Sequence, residues 1–218
     1  MHDDKSRDSR ELICINVDKV YDWIVKEKSF DITRTGPISF PGIPANTNLE
    51  GATVTCEVVP AASNPIVIQD RENRQFCIDG ENVCLQQLNI QKNFTLRIFV
   101  TLPNGMVFPS VTIPVSRCEQ VTLCAPEGTD VTITYTDLDC FVCSTGTLTL
   151  AGEGPTSTIT FSDLQITVNT CQSIQSTFPV TVEFLAEFCE PRAELPIACP
   201  PPTRPQQCHA VFPDLGHC

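Results

Sequence analysis

The stretch Phe94-Thr-Leu-Arg-Ile-Phe-Val100 decides the fold, because large apolar residues recur in it at every second position. In a β-strand such residues point to the same side, so Phe94, Leu96 and Ile98 would share one face. The same period of two recurs over residues 51–184, in segments separated by turn residues. We therefore predict an all-β protein built as an antiparallel β-sandwich.

Turn residues indicate where the strands end. Asp79-Gly80 predicts a tight hairpin, and Lys92-Asn93 predicts a turn between two paired strands at 83–91 and 94–102. Pro114 has no amide hydrogen to donate, so we expect the strand around it at a sheet edge or at a bulge.

Composition divides the chain into four regions: an N-terminal arm and linker (1–50), a first β unit (51–117), a second β unit (118–188) and a tail rich in proline and cysteine (189–218). Both β units contain a strand, a polar turn and a strand that begins with phenylalanine. The body is therefore one sandwich or two tandem sandwich units. Glycine and proline in residues 26–50 predict a linker with one short strand. The prolines of the tail exclude regular structure over most of its length.

The strand arm, Leu12-Ile-Cys-Ile-Asn-Val-Asp-Lys-Val-Tyr-Asp-Trp-Ile-Val25, contains the only tryptophan of the chain. Its alternating pattern predicts a β-strand. Two uses remain open: the arm is the first strand of its own body, or it adds to an open sheet edge of a neighbouring chain. The arm residues expected to dock are Ile13, Ile15, Val17, Tyr21 and Trp23.

The 218 residues are 41% hydrophobic and 18% charged, a balance typical of a globular chain rather than a disordered one. The formal net charge is -12. Phosphate binding needs a basic surface, so we expect no nucleic-acid partner. No segment approaches the ~18 apolar residues of a membrane-spanning helix, so we expect no membrane span.

Thirteen cysteines are a high count and indicate an oxidising environment. The first ten residues nevertheless lack the apolar core of a secretory signal. A protein made in a cytosol that later becomes oxidising would reconcile the two facts. Because the count is odd, at least one thiol stays free, binds a ligand or pairs with another chain. The expected links between subunits are the cysteines of the arm and tail: Cys14, Cys199, Cys208 and Cys218.

Two groups of residues are possible metal or redox sites. Cys140-Phe-Val-Cys143 has the spacing of a redox motif or half a zinc site, but it lies in a β context without a second such pair, which favours structural pairing or packing. The tail series Cys199, Cys208, His209, His217 and Cys218 has zinc-ligand types at spacings that match no standard zinc site, which favours disulfides. We expect no metal and no cofactor.

Catalytic residues are also not expected. The histidines His2, His209 and His217 all lie near the chain ends, where they are poorly placed to orient a nucleophile. Asp137 and Asp139 are spaced to share one face, but a solvated turn is the favoured interpretation of this pair. The sequence therefore does not predict an enzyme.

Cys14-Ile-Asn-Val-Asp-Lys-Val-Tyr-Asp-Trp-Ile24 resembles the N-terminal motif of the morphogenetic spore coat and exosporium proteins of endospore-forming Bacillus relatives. The body is similar to them only in being rich in β patterns and cysteine, and the tail only in ending with cysteine. The resemblance implies a structural protein of the spore envelope, made in the mother cell without a signal peptide, assembled around the spore and cross-linked by disulfides. It assigns no catalytic residues.

The leading hypothesis is a structural, self-assembling subunit of the endospore surface, in the coat, the exosporium or a spore-associated fibre or layer. Its partners would be copies of itself and other spore-envelope proteins, joined by strand exchange and disulfides. Two alternatives remain: a surface binding module, such as an adhesin or carbohydrate-binding sandwich, and a parasporal toxin-like β protein.

Overall fold

Residues 10–78 and 80–187 are described by the structure, a computed structural model, and all regular elements in them are β-strands. Val17–Val180 form one compact unit, and the described residues 10–16 and 181–187 belong to another. The fold is the predicted all-β antiparallel sandwich. Its strands are β1 (Arg10–Arg34), β2 (Pro37–Ser39), β3 (Thr53–Pro60), β4 (Ile66–Ile78), β5 (Glu81–Thr101), β6 (Val107–Pro109), β7 (Ile113–Leu123), β8 (Asp130–Ser144), β9 (Leu148–Ala151), β10 (Thr158–Phe161) and β11 (Leu164–Glu187).

The first layer is built around β5. Strand β4 pairs with residues 81–92 of β5, and β3 pairs with residues 94–101. Strand β7 pairs with residues 86–96 and therefore lies on the opposite side of β5 from both, with β6 beyond it. All these pairings are antiparallel, so β5 is covered on both edges along most of its length.

The second layer is built around β11, in the strand order β1-β11-β8. Side-chain hydrogen bonds join β1 to β11. The Trp23 indole donates to Ser173 Oγ, and the Thr170 hydroxyl donates to the Lys28 carbonyl. The Thr167 hydroxyl donates to the Asp31 carboxylate. As the residue number rises along β1, the number of its partner on β11 falls, so β1 and β11 run antiparallel. The short strands β2, β10 and β9 form a separate sheet in the order β2-β10-β9.

The core lies between the two central strands. Every even-numbered residue from 86 to 100 on β5 and from 164 to 176 on β11 is buried. A large apolar cluster includes Phe94 and Ile166, and a smaller one includes Ile90 and Ile174. A disulfide between Cys56 of β3 and Cys140 of β8 joins the two layers. With 84 residues between its ends, it stabilises the fold by about 4–5 kcal/mol in the loop-entropy model.

The prediction of a turn at Lys92-Asn93 was wrong, because both residues lie inside the continuous strand β5. The sequence predicts a turn there because a lysine within a β pattern usually faces solvent. Here the Lys92 side chain is buried and bonded to other polar side chains. The hairpin at residues 79–80 is confirmed, since Ile78 pairs with Glu81 across two residues, and Gly80 supplies the positive φ of +86° that such turns favour.

Three further predictions concern the arm and its linker, the pair Asp137 and Asp139, and Pro114. The arm is a strand, but β1 continues to Arg34, well into the predicted linker, whose one short strand is β2. Asp137 and Asp139 lie exposed within β8 rather than in a turn, because both continue its pairing with β11. Pro114 lies in β7, which pairs only with β5 among the described strands, as an edge strand should.

The boundary proposed between the two β units, at 117/118, falls inside β7, and the division into tandem units stays a prediction. Both segments that suggested it, 88–100 and 166–184, lie in a central strand of a layer. The tail from 189 to 218 lies outside the described residues.

Candidate functional site

Strand β1 occupies one edge of its sheet, since its only partner among the described strands is β11. Within the larger unit the side chains of Asp22, Ile24 and Lys26 point inward. Asp22 accepts a hydrogen bond from the backbone of Cys124 at 2.8 Å, Ile24 packs on the smaller apolar cluster, and Lys26 lies 2.6 Å from Glu119. These contacts fix which face of β1 is turned to the core.

The odd-numbered side chains of this part of β1 point away from the core, because neighbours along a strand alternate between faces. Trp23 is 61% exposed and Val25 is 70% exposed, and Tyr21 beside them is exposed too. The indole Nε1 of Trp23 donates to Ser173 Oγ at 2.7 Å. We call Tyr21, Trp23 and Val25 the outer strip. Large apolar side chains are thus concentrated on the solvent side of an edge strand.

Two of the proposed docking residues, Tyr21 and Trp23, belong to the outer strip. Val17, Tyr21 and Trp23 lie on β1 of the larger unit, with Val17 half-buried. Ile13, half-buried, and Ile15, exposed, belong to the smaller unit, where Asn16 accepts a hydrogen bond from Thr181 at 2.7 Å. Strand β1 pairs with β11 of its own chain.

Strand β8 forms the opposite edge of the same sheet and differs in its protection. Its pairing with β11 skips Thr136 and Cys143, which gives it two bulges. It also presents the exposed carboxylates of Asp130, Asp137 and Asp139. Bulges and charges are devices that prevent sheet edges from pairing with other chains. The outer strip of β1 has no charge on its three side chains, but exposed charges flank it: Lys19, whose Nζ lies 4.7 Å from the centroid of the Tyr21 ring, and Glu27.

Free thiols are numerous on the surface. Cys14, the one proposed cross-link residue that lies within the described residues, is exposed on β1. Cys199, Cys208 and Cys218 lie outside them, as do His209 and His217. Cys140 forms the disulfide with Cys56, the structural use that the sequence favoured, while Cys143 of the same motif is an exposed thiol. Within residues 10–78 and 80–187 the other exposed thiols are Cys77, Cys84 and Cys118.

A group of polar side chains, which we call the polar layer, separates the two apolar clusters inside the sandwich: Lys26, Lys92, Glu119 and Gln172. Lys92 on β5 is 4% exposed, and Gln172 on β11 is 0% exposed. Lys92 Nζ donates to both Glu119 Oε2 and Gln172 Oε1. Gln172 Nε2 donates to Glu119 Oε2 at 3.1 Å, which closes a ring of contacts.

The charges of the polar layer shift its pKa values. Burial lowers the pKa of Lys92, although the adjacent Glu119 opposes the shift. Burial raises the pKa of Glu119, but hydrogen bonds from Lys26, Lys92 and Gln172 outweigh it and bring the pKa to about 2. The Glu119 carboxylate is therefore strongly held in its ionised form.

Tyr135 and a small cavity border the polar layer. Tyr135 is the cross-strand partner of Gln172, so the two side chains share a face. Its hydroxyl is buried without a hydrogen-bond partner, and burial, with the charge of Glu119, raises its pKa to about 12. The cavity, of about 50 Å³, adjoins Lys92 and Glu119 and is also lined by Lys28 and Phe94.

Sequence reasoning missed the polar layer, although a signal was present. Lys92 is in phase with the buried even-numbered residues of β5, Gln172 is in phase with those of β11, and Glu119 is in phase with Val115 and Val121 on β7. A polar residue in phase with apolar neighbours on both sides is a candidate for a buried network.

No protein-family model, curated protein or solved structure matches the chain. Among the described residues no helix is long and apolar enough to cross a membrane.

Proposed function

We propose that this protein is a structural, self-assembling subunit whose copies associate through the outer edge of β1. One observation supports this more than any other: a long edge strand, unpaired on one side among the described strands, has the exposed outer strip of Tyr21, Trp23 and Val25. The unpaired edge supplies backbone hydrogen bonds to a strand from another copy. The outer strip supplies apolar area at the same place.

The energetics favour such pairing. An open edge has unpaired amide and carbonyl groups that a second strand satisfies in register. Fully burying a large apolar side chain stabilises by roughly 1.5–3 kcal/mol, so Trp23 and Val25 together would contribute several kcal/mol to an interface. A β1 edge that pairs with a different surface of the next copy makes a repeating contact, which produces an open polymer unless the rotation closes a ring. Pairing of β1 with β1 would stop at a dimer.

Disulfides would then lock the assembly. Cys14 is exposed and close in sequence to the outer strip, and Cys77, Cys84, Cys118 and Cys143 are exposed as well. Thiols on the surface exchange with neighbouring chains far more readily than buried ones do. Oxidation after assembly would convert a reversible polymer into a covalent one.

The resemblance of residues 14–24 to spore coat and exosporium proteins suggests where the polymer belongs. We infer an endospore surface layer or fibre, with the chain made in the mother-cell cytoplasm and joined to copies of itself and to other envelope proteins. Expression timed to sporulation and recovery of the protein from purified spore envelopes would support this location. Its absence from them would contradict it.

The edge hypothesis is tested by a charge placed on the outer strip. Val25→Lys should reduce the polymer to monomer, because a lysine there opposes strand pairing. The matched control is Phe141→Lys on β8, also an exposed apolar residue, which should leave assembly intact. Sedimentation velocity under reducing conditions measures both. Equal loss in the two variants, or loss in neither, rejects β1 as the assembly edge.

A second candidate function is carbohydrate binding, because Trp23 and Tyr21 form an exposed aromatic pair on one face. Aromatic faces of this kind stack on sugar rings. Glycan-array binding that disappears in Trp23→Ala but persists in Val25→Lys would favour this candidate over self-assembly.

A further inference from the structure

The polar layer places charged and hydrogen-bonding groups in a core that could be stable without them. Replacing a buried ion pair with apolar residues is often neutral or stabilising. Here a lysine from one sheet and a glutamine from the other meet at one carboxylate. Lys92 lies on β5 and Gln172 on β11, the central strands of the two layers. This is an arrangement of an amine, a carboxamide and a proton acceptor, of which Lys92 and Gln172 are buried.

We propose that Lys92 and Gln172 become covalently joined by an amide bond between Lys92 Nζ and Gln172 Cδ, formed by the protein itself with Glu119 transferring the protons. This cross-link is independent of the function proposed above.

The reaction balances without any co-reactant. Glu119 takes a proton from the Lys92 ammonium, and the resulting amine attacks Gln172 Cδ, forming the new C–N bond as the carbonyl electron pair moves to Oε1. Nζ loses a second proton. Protons relayed by Glu119 reach Nε2, the C–Nε2 bond breaks with its electron pair on nitrogen, and the carbonyl re-forms. An ammonium side chain and a carboxamide thus become a secondary amide and an ammonium ion.

The contacts in the polar layer match this sequence of steps. Lys92 Nζ already contacts Oε1, the atom bonded to the carbon that it must attack. The leaving nitrogen, Nε2, already donates to Glu119 at 3.1 Å, so the carboxylate touches both the entering and the leaving nitrogen. Holding reacting groups in such positions replaces a bimolecular encounter with an intramolecular one.

The surroundings favour the neutral amine of Lys92 and a Glu119 carboxyl that releases protons readily, since its pKa is about 2. Burial lowers the pKa of Lys92, which makes its neutral amine more accessible. Lys26, 2.6 Å from Glu119, keeps a cation on the carboxylate when Lys92 gives up its charge. The adjoining cavity of about 50 Å³ has room for the released ammonia, which is about the size of a water molecule.

Mass spectrometry of the reduced, full-length protein tests the proposal. The expected mass is below the sequence mass by one molecule of ammonia. A tryptic digest should contain residues 75–97 and 118–192 as one branched peptide, with no cleavage after Lys92. Because Asn104-Gly105 can also lose ammonia by cyclising, the fragment spectra must place the loss at Lys92 and Gln172. Only linear forms of the two peptides, or a loss placed elsewhere, overturn the proposal.

Three variants separate the chemistry from folding. Glu119→Gln and Lys92→Arg should abolish the branched peptide, while Lys28→Arg, beside the same cavity, should retain it. Persistence of the branched peptide in Glu119→Gln overturns the role of Glu119. If either polar-layer variant fails to fold, the peptide map of the unaltered protein still decides whether the bond exists.

Discussion

The polar layer and the outer strip of β1 depart from the same rule in opposite directions. In a half-buried sheet, apolar residues face the core and polar residues face water. Lys92 and Gln172 place polar groups where the core is expected, while Trp23 and Val25 place apolar groups where water is expected. The first departure is fully satisfied by internal hydrogen bonds. The second has no apolar cover within the described residues, and so points outward to a partner.

The difference teaches how each region should respond to mutation. Changes in the polar layer should alter the stability of a single chain. Changes in the outer strip should alter association and leave the chain folded.

The largest effect is expected from Glu119→Ala. In the chain before any Lys92–Gln172 bond forms, Glu119 pairs with Lys92 and Lys26. Removing one partner from a buried ion pair leaves an uncompensated charge, which typically costs about 3–5 kcal/mol. Urea unfolding should show this loss. Glu153→Ala, a matched change at an exposed carboxylate, should stay within about 0.5 kcal/mol. A similar small loss for both would mean that the polar layer adds nothing to stability.

Leu96→Ala provides the apolar counterpart within β5. Leu96 is fully buried in the larger apolar cluster, and Leu→Ala changes in such sites cost about 2–5 kcal/mol through lost contacts and a cavity. The same urea measurement should therefore give a loss comparable to that of Glu119→Ala. A loss below 1 kcal/mol, by contrast, would show that the interior is loosely packed.

Acid should weaken the polar layer selectively. The pKa of Glu119 is about 2 in the folded chain, below its ordinary value of 4.5. Its ionised form therefore stabilises the fold above about pH 4.5, and that contribution is lost as the pH falls towards 2. The stability difference between the unaltered protein and Glu119→Gln should shrink by up to about 3 kcal/mol across this window. If this stability difference stayed constant from pH 6 to pH 2, the result would contradict an ionised Glu119 in the polar layer.

The smallest effect on folding is expected from Trp23→Ala in the outer strip. The change removes one exposed hydrogen bond to Ser173, so stability of the reduced monomer should change by less than about 1 kcal/mol. Assembly should nevertheless weaken strongly. A large loss of monomer stability would mean that the indole supports its own sheet rather than an interface.

Periodicity predicted the sandwich because β5 and β11 alternate with few interruptions. It failed at Lys92, because composition alone does not distinguish a turn from a buried lysine whose partners lie 27 and 80 residues away. The pairing of Cys56 with Cys140 was equally inaccessible, since the chain has many other cysteines to pair. Two of the predicted docking residues, Tyr21 and Trp23, lie in the outer strip, and their role in docking stays a prediction. Only the contacts of Asp22, Ile24 and Lys26 show that the outer strip points to solvent and not to the core.

Hydrogen exchange of β1 most directly tests whether its outer edge joins one copy to the next. Amides of residues 17–34 should be compared in the assembled protein and in the Val25→Lys monomer. We predict that the amides of β1 facing away from β11 exchange rapidly in the monomer and become protected on assembly, while those of β8 change little. Unchanged exchange in β1, with new protection in β8, would contradict assembly through this edge.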